Sequence, residues 1–195
     1  RSIAYGNIVY ELGNSLITFT NADPNWVIPA NPDYGNQLKA NFTLMDSMII
    51  EMKTKELDQH GYVNYLGSCG IGLHTANKKV EVFNPIYDSH TKTESYLYGK
   101  LSFVNGTGGT DAITLEPETF YILQVIRNNS NFTLSLLDLD YNVLLSLSGS
   151  TTAQLTYMSI TIGKYNGYPF TKFAVDWYRV RKYTSPEPTV SYSKL

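Results

Sequence analysis

The sequence predicts an all-β fold, a sandwich or barrel of antiparallel strands. Three observations carry that reading. Apolar and polar residues alternate with a period of two along most of the chain. Clusters of Asn, Asp, Ser and Gly punctuate it about every 8–15 residues, the spacing of short strands joined by tight turns. No segment shows the 3.6-residue period of a helix; Glu51–Gln59 holds helix formers, but Gly61 and the β pattern before it leave at most a short turn.

The elements follow in order. Leu16, Thr18 and Thr20 alternate with Ile17 and Phe19. Met48–Lys55 is a strand with Glu51, Lys53 and Lys55 on one face and Ile50 and Met52 on the other. Lys79–Phe83 and Ser95–Val104 give two more. Phe120–Arg127 and Phe132–Asp138 flank Asn128-Asn129-Ser130-Asn131, a hairpin turn of residues that tolerate positive φ. Asp140-Tyr141-Asn142 turns the chain into Val143–Leu147, and Gln154–Ile162 and Lys172–Lys182 complete the set. About nine or ten strands result. Along the last of them Phe173, Val175 and Trp177 are expected to face the core, with Ala174, Asp176, Tyr178 and Val180 opposite and Arg179 and Arg181 forming ion pairs at the rim.

The chain has 195 residues, 43% hydrophobic and only 16% charged, with 16 tyrosines. That suits one packed domain, assigned to residues 1–184, with the proline-containing stretch 185–195 as a linker or tail. A net charge of −2 gives no footprint for nucleic acid. No run of about 18 or more apolar residues occurs, so no direct membrane insertion is expected. The single cysteine, Cys69, excludes an intrachain disulfide framework. The chain opens at Arg1 with neither an initiator Met nor a charged-then-apolar stretch, and is expected to be a mature chain or a fragment whose targeting segment, if any, is missing.

The stretch Val175-Asp176-Trp177-Tyr178-Arg179-Val180-Arg181-Lys182-Tyr183, followed by Ser185-Pro186-Glu187-Pro188-Thr189-Val190, resembles the end of a domain family of unknown function in archaeal and bacterial surface proteins. There a D-W-x-x-V-R-K-Y strand closes the domain before a P-E-P linker. Phe42–Leu57 and Phe120–Gly149 resemble the early strand and the hairpin run of the same fold. The resemblance implies a concanavalin A-like lectin/glucanase (laminin-G-like) jelly roll, a two-sheet antiparallel sandwich. That fold hosts lectins, glycosidases, proteases and structural modules, so it leaves function open.

Because the resembled fold includes glycosidases, paired carboxylates come first. A glycosidase needs two acids roughly 5–10 Å apart. Glu116/Glu118 and Asp138/Asp140 have the spacing, but Pro117 interrupts the first pair and the second sits at a turn. The Glu-x-Asp-x-x-Glu strand of laminarinase-type members is absent. Asp138, Asp140 and Asn142 match the opening of a calcium loop without its later Gly and bidentate acid, and form the candidate metal site. A plain hairpin turn is the competing reading. No nucleophile motif surrounds His60, His74 or His90, and Cys69 reads as a small buried residue.

Aromatic residues in polar loops are the strongest functional signal, because sugar rings stack on Trp and Tyr. Trp26 and Tyr34 lie in the loop 21–37, Tyr62 and Tyr65 in a second segment, and Tyr165 and Tyr168 in a third; these six form the candidate carbohydrate site. Sequons at Asn41, Asn105, Asn128 and Asn131 are candidate glycosylation sites. The expected function is a non-catalytic extracellular or cell-surface recognition module binding a glycan or a cell-surface protein. The alternatives are a self-associating subunit of a filament, envelope layer or virion, and a glycoside hydrolase.

Overall fold

A computed structural model describes residues 7–11, 16–20, 36–39, 44–57, 65–77, 80–90, 95–99, 101–103, 109–164 and 172–184. Fourteen strands run through them: β1 (Asn7–Glu11), β2 (Leu16–Thr20), β3 (Asn36–Lys39), β4 (Ser47–Glu56), β5 (Tyr65–Thr75), β6 (Val80–His90), β7 (Ser95–Gly99), β8 (Ser102–Phe103), β9 (Ile113–Leu115), β10 (Tyr121–Asn128), β11 (Asn131–Leu137), β12 (Val143–Ser150), β13 (Leu155–Lys164) and β14 (Lys172–Lys182). The described residues contain no helix, and none therefore that is long and apolar enough to cross a membrane. The surplus over the expected count lies mainly in β1, β3, β5 and β9. The eleven-residue β5 carries three glycines, which weaken local β propensity, so its strand state comes from pairing with β13 and β6 on either side. β3 takes the last two residues of the expected loop 21–37.

The strands form two antiparallel sheets. Sheet A has the order β1-β2-β14-β4-β10-β11-β12; sheet B has β3-β13-β5-β6-β7-β9, with β8 on β6. Between them lies one apolar core: Met48, Ile50, Met52, Leu123, Val125, Leu134, Leu136, Phe173 and Val175 from sheet A against Cys69, Ile71, Leu73, Val82, Ile86, Met158 and Ile160 from sheet B. Alternation on β4, β10 and β11 supplies these residues, so the two-residue period sets which face of each strand is buried.

Two polar side chains tie the sheets together. Asn84, fully buried on β6, donates through Nδ2 to the carbonyls of Gln124 (2.7 Å) and Ser135 (3.0 Å) on sheet A. Thr54 Oγ1 donates to the Ala174 carbonyl at 2.9 Å and lies 3.7 Å from Cys69 Sγ across the core. Gly70 is a point of close approach: a Cβ there would sit 2.5 Å from the Asn84 carbonyl oxygen and 2.7 Å from Pro85 Cα, both backbone atoms.

The last strand departs from simple alternation. A bulge between Val175 and Trp177 shifts the register, so Val175 pairs with Thr54 but Trp177 pairs with Lys53. Trp177 is thereby moved off the core face and is half-buried rather than a core anchor. Beyond the bulge Val180, expected outside, packs on the core. Ala174, also expected outside, is fully buried.

Two hairpin tips are held by their own chemistry. In β10–β11, Asn128 pairs with Asn131 and Asn129 adopts φ 57°, as the Asn-rich turn predicts. In β11–β12, Asp138 Oδ1 accepts the backbone N–H groups of Asp140 (2.9 Å) and Asn142 (2.8 Å), and Oδ2 accepts Asn142 Nδ2 (2.8 Å). Inside this cage Tyr141 adopts φ 65°, an uncommon conformation for a bulky residue.

Gly70→Ala is expected to destabilise the fold by about 1–3 kcal/mol, because backbone on β6 must move; chemical denaturation measures it, and an unchanged midpoint would refute the close approach. The β11–β12 tip is expected to loosen in acid. The hydrogen bond from the Asn142 side chain, followed by those from the Asn142 and Asp140 amides, holds the Asp138 carboxyl below its ordinary range. A depressed folded pKa gives a contribution present above the unfolded value, about 3.9, and lost as pH falls through the folded one. Protection of the Asp140 and Asn142 amides, measured against the intrinsic exchange rate at each pH, is therefore expected to fall in that acid window, and at neutral pH in Asp138→Ala.

Candidate functional site

The face of sheet A turned away from the core is the richest in placed chemistry. Its register lines up one polar row across five strands: Arg179 on β14, Glu51 on β4, Gln124 on β10, Ser135 on β11 and Ser146 on β12. Glu51 is fully buried, yet it faces away from the sandwich interior. Its Oε2 accepts from Arg179 Nε at 2.5 Å and its Oε1 from Gln124 Nε2 at 2.8 Å, while Arg181 Nε lies 3.9 Å from Oε2. The hydrogen bond to Glu51 is also the main cause that raises the Arg179 pKa further above its ordinary value.

Arg179 is the hub. Its Nη2 donates to the Tyr141 hydroxyl at 2.7 Å, and its guanidinium lies 5.0 Å from the Trp177 ring centroid. Tyr141 comes from the β11–β12 tip and so reaches over the sheet to β14; its left-handed backbone is what the Asp138 cage maintains. The Arg179 side chain is 51% exposed and that of Arg181 40%, while one end of the set is anchored on a buried carboxylate. Beside them Lys53 pairs with Asp176 at 2.7 Å, and Lys53 and Lys55 lie 4.7 and 5.2 Å from the Phe120 ring. Ile49, Ile122 and Leu137 form an apolar floor on the same face, each at most 3% exposed.

The residues singled out from sequence fall into three groups. Trp26, Tyr34, Tyr62, Tyr165 and Tyr168, with Asn41 and Asn105, lie outside the described residues; Tyr65 opens β5 opposite His90, and its side chain is outside them too. Asp138, Asp140 and Asn142 are brought together, and the bonds given above satisfy the turn itself. Among the described residues no group of three or more His, Cys, Asp or Glu is arranged to hold a metal ion. Asn128 and Asn131 are exposed and paired at the base of their hairpin.

The other candidate chemistry is committed elsewhere. Glu118 pairs with Lys55 at 3.0 Å from an exposed turn, so Glu116 and Glu118 do not face each other across a strand. His74 Nε2 lies 2.6 Å from Ser159 Oγ, but both residues are fully buried and the imidazole stacks on Tyr157. A substrate has no access to such a pair. Burial pushes the Cys69 thiol up to about 12, leaving it protonated and unreactive. A cleft of about 320 Å³ beside the β10–β11 hairpin is lined by Asp46, Arg127, Asn129, Phe132 and Thr151 among others. Arg127 spends its donors there on the Met45 and Asn129 carbonyls and on Asp46.

Sequence reasoning missed the outer-face set because it followed unbroken alternation through Asp176. The ion-pairing expected of Arg179 and Arg181 is present, although it lies on the sheet face beside Glu51. A readable signal existed: Trp177, Arg179 and Arg181 recur at every second residue, and a strand cannot bury that series in an apolar core.

No protein-family model and no curated protein sequence matches the chain. Solved structures do. The chain superposes on a double-cysteine variant of alginate lyase A1-II′ with a TM-score of 0.58 and 10% identity, covering 93% of this chain and 85% of that one. An alginate lyase from Alteromonas sp. 272 gives 0.53 and 10%, covering 85% and 88%. The GH43 protein BlXynB from Bacillus licheniformis gives 0.55 and 10%, covering 86% of this chain, which spans only 33% of that one. Likeness at such identities is a likeness of fold: two antiparallel sheets in the concanavalin A-like jelly-roll sandwich.

Proposed function

We propose that this chain is a carbohydrate-binding module acting outside the cell or at its surface, and that it holds glycan on the outer face of sheet A. One observation carries the reading: Trp177, Tyr141, Arg179 and Arg181 converge there, with Arg179 fixed by a buried Glu51. An aromatic ring offers a stacking surface for the C–H face of a sugar. Guanidinium donors held in place offer hydrogen bonds to hydroxyl or carboxylate oxygens with little ordering cost on binding. Tyr141 at 43% exposure and Arg179 at 51% are reachable by a ligand. The fold is shared with proteins named as alginate lyases and with a GH43 protein, which supports a glycan as the ligand.

A second reading is cleavage of an acidic polysaccharide on the same face. The Tyr141 hydroxyl beside the Arg179 guanidinium favours it, since elimination needs a proton-transfer group next to a cation that neutralises a uronate. Hydrolysis by a carboxylate pair is less well supported, because Asp138 serves its turn and Glu118 its ion pair.

A glycan-array screen of the purified chain tests the proposal, run with and without calcium and beside Trp177→Ala and Trp26→Ala. Binding is expected to fall about fivefold to thirtyfold in Trp177→Ala, the loss of about 1–2 kcal/mol that truncating a buried aromatic contact brings. Loss in Trp26→Ala alone would move the site to the loop 21–37, and no binding to any glycan would refute the reading. Ultraviolet absorbance of unsaturated ends, followed on acidic polysaccharides that bind, separates lyase from binder.

A further inference from the structure

We infer that β12 is an interface between copies of this chain: two molecules join by antiparallel pairing of β12 with β12, continuing sheet A across a two-fold axis. Among the described residues the strand stands at the end of the sheet order. Its sequence, V-L-L-S-L-S-G-S, holds no charged residue and no proline. Natural edge strands are ordinarily blunted by these or by a bulge; the bulge of β12 is confined to its start, where Leu136 pairs with Leu145 but Leu137 with Val143, and Leu145–Ser150 keeps regular register. It is also open, with Val143 61% and Leu144 37% exposed and Ser146, Ser148 and Ser150 exposed beyond them.

Hydrogen-bond parity shows what the edge offers. Thr151 N donates to Ser130 O at 2.9 Å, one step beyond the paired Asn131 and Ser150. Narrow and wide pairs alternate in an antiparallel ladder, so Gly149, Leu147 and Leu145 bond back to β11. Ser146, Ser148 and Ser150 then point their N–H and C=O groups out of the sheet.

Leu145 and Leu147 sit on the opposite, inner face, packed on the core but only half-buried. An axis through Leu147 sets Ser146 of one copy against Ser148 of the other. Both outward serines then exchange backbone bonds, and the two Leu147 side chains meet over the continued core. A second copy is the occupant because it matches this edge on both faces at once, apolar inside and serine outside. The inference does not depend on glycan binding.

Sedimentation velocity over a concentration series tests it. The chain is expected to dimerise reversibly with a dissociation constant on the order of 10 μM, as suits an interface smaller than a standard one. Ser148→Pro removes an outward donor and no backbone bond to β11, and the one bond it loses there is the exposed Thr133–Ser148 hydroxyl pair at 3.2 Å, which Ser148→Ala removes as well; it is therefore expected to weaken the dimer about tenfold or more while melting close to Ser148→Ala. Ser148→Ala is expected to dimerise like the parent. Leu147→Cys is expected to form an interchain disulfide on oxidation, since the axis brings the two Cα atoms about 4.5–5.5 Å apart. A monomer at every concentration overturns the inference, as does a dimer that a folded Ser148→Pro leaves intact. A dimer in which Leu147→Cys never cross-links overturns the stated register.

Discussion

The outer face depends on one irregularity, the bulge between Val175 and Trp177. Before it, β14 is a buried strand: Phe173, Ala174 and Val175 are at most 1% exposed. After it, Trp177, Arg179 and Arg181 occupy the outward row. Strict alternation would have pointed the two arginines into the core with Phe173 and Val175, at a desolvation cost that no apolar core offsets. The extra residue resolves this and leaves Val180 to complete the core. Asp176, the residue the bulge inserts, is put to use as the partner of Lys53.

Once Arg179 lies over β4, Glu51 can be buried. A carboxylate with no exposure needs its oxygens satisfied, and Arg179 and Gln124 take one each. Ion pairs of this kind add little net stability compared with a well-packed apolar pair, but losing either member leaves a charge stranded. Their structural consequence is direction. Glu51 fixes the Arg179 guanidinium, which in turn fixes the Tyr141 hydroxyl arriving from a tip that Asp138 holds in a left-handed turn. Strain at Tyr141 is thus maintained by bonds on both sides of it, the pattern expected where a side chain must be presented rather than merely accommodated.

Much of the architecture was legible because it rests on local rules. Ile50 and Met52 alternate with Glu51 and Lys53, and that alone assigned β4 and its core face. The Asn129 turn follows from a residue that tolerates positive φ, and the Asp138–Asn142 turn from a side chain that bonds the backbone beside it. What was not legible depended on partners distant in sequence. Gly70 and its neighbouring glycines became a central strand because β13 and β6 flank them. Glu51 reads as a solvent-facing acid until β14, 128 residues away, lays Arg179 upon it. The bulge itself has no local signature beyond the improbable sequel of Trp177, Arg179 and Arg181 in an inward row.

The proposed binding face and the proposed edge bear on one another through the geometry of the sheet. Ser146 ends the same row that begins with Arg179 and passes through Glu51, Gln124 and Ser135. Pairing β12 with its mate sets Ser146 against Ser148 of the second copy, so the row continues into the neighbouring row of that copy, Ser148, Thr133, Ile126, Ile49 and Arg181, with both outer faces on one continuous side. The two-fold axis reverses direction from one face to the other, so two antiparallel polysaccharide strands, or one that turns back on itself, engage both faces at once. The second contact then forms at the effective concentration set by a rigid sheet, and modest affinity at each face becomes avidity without any added contact. An edge without charge or proline would be a liability in a monomer that binds a single small sugar. In a module that must hold a long polymer through shallow surface contacts, the same edge supplies what the face alone lacks.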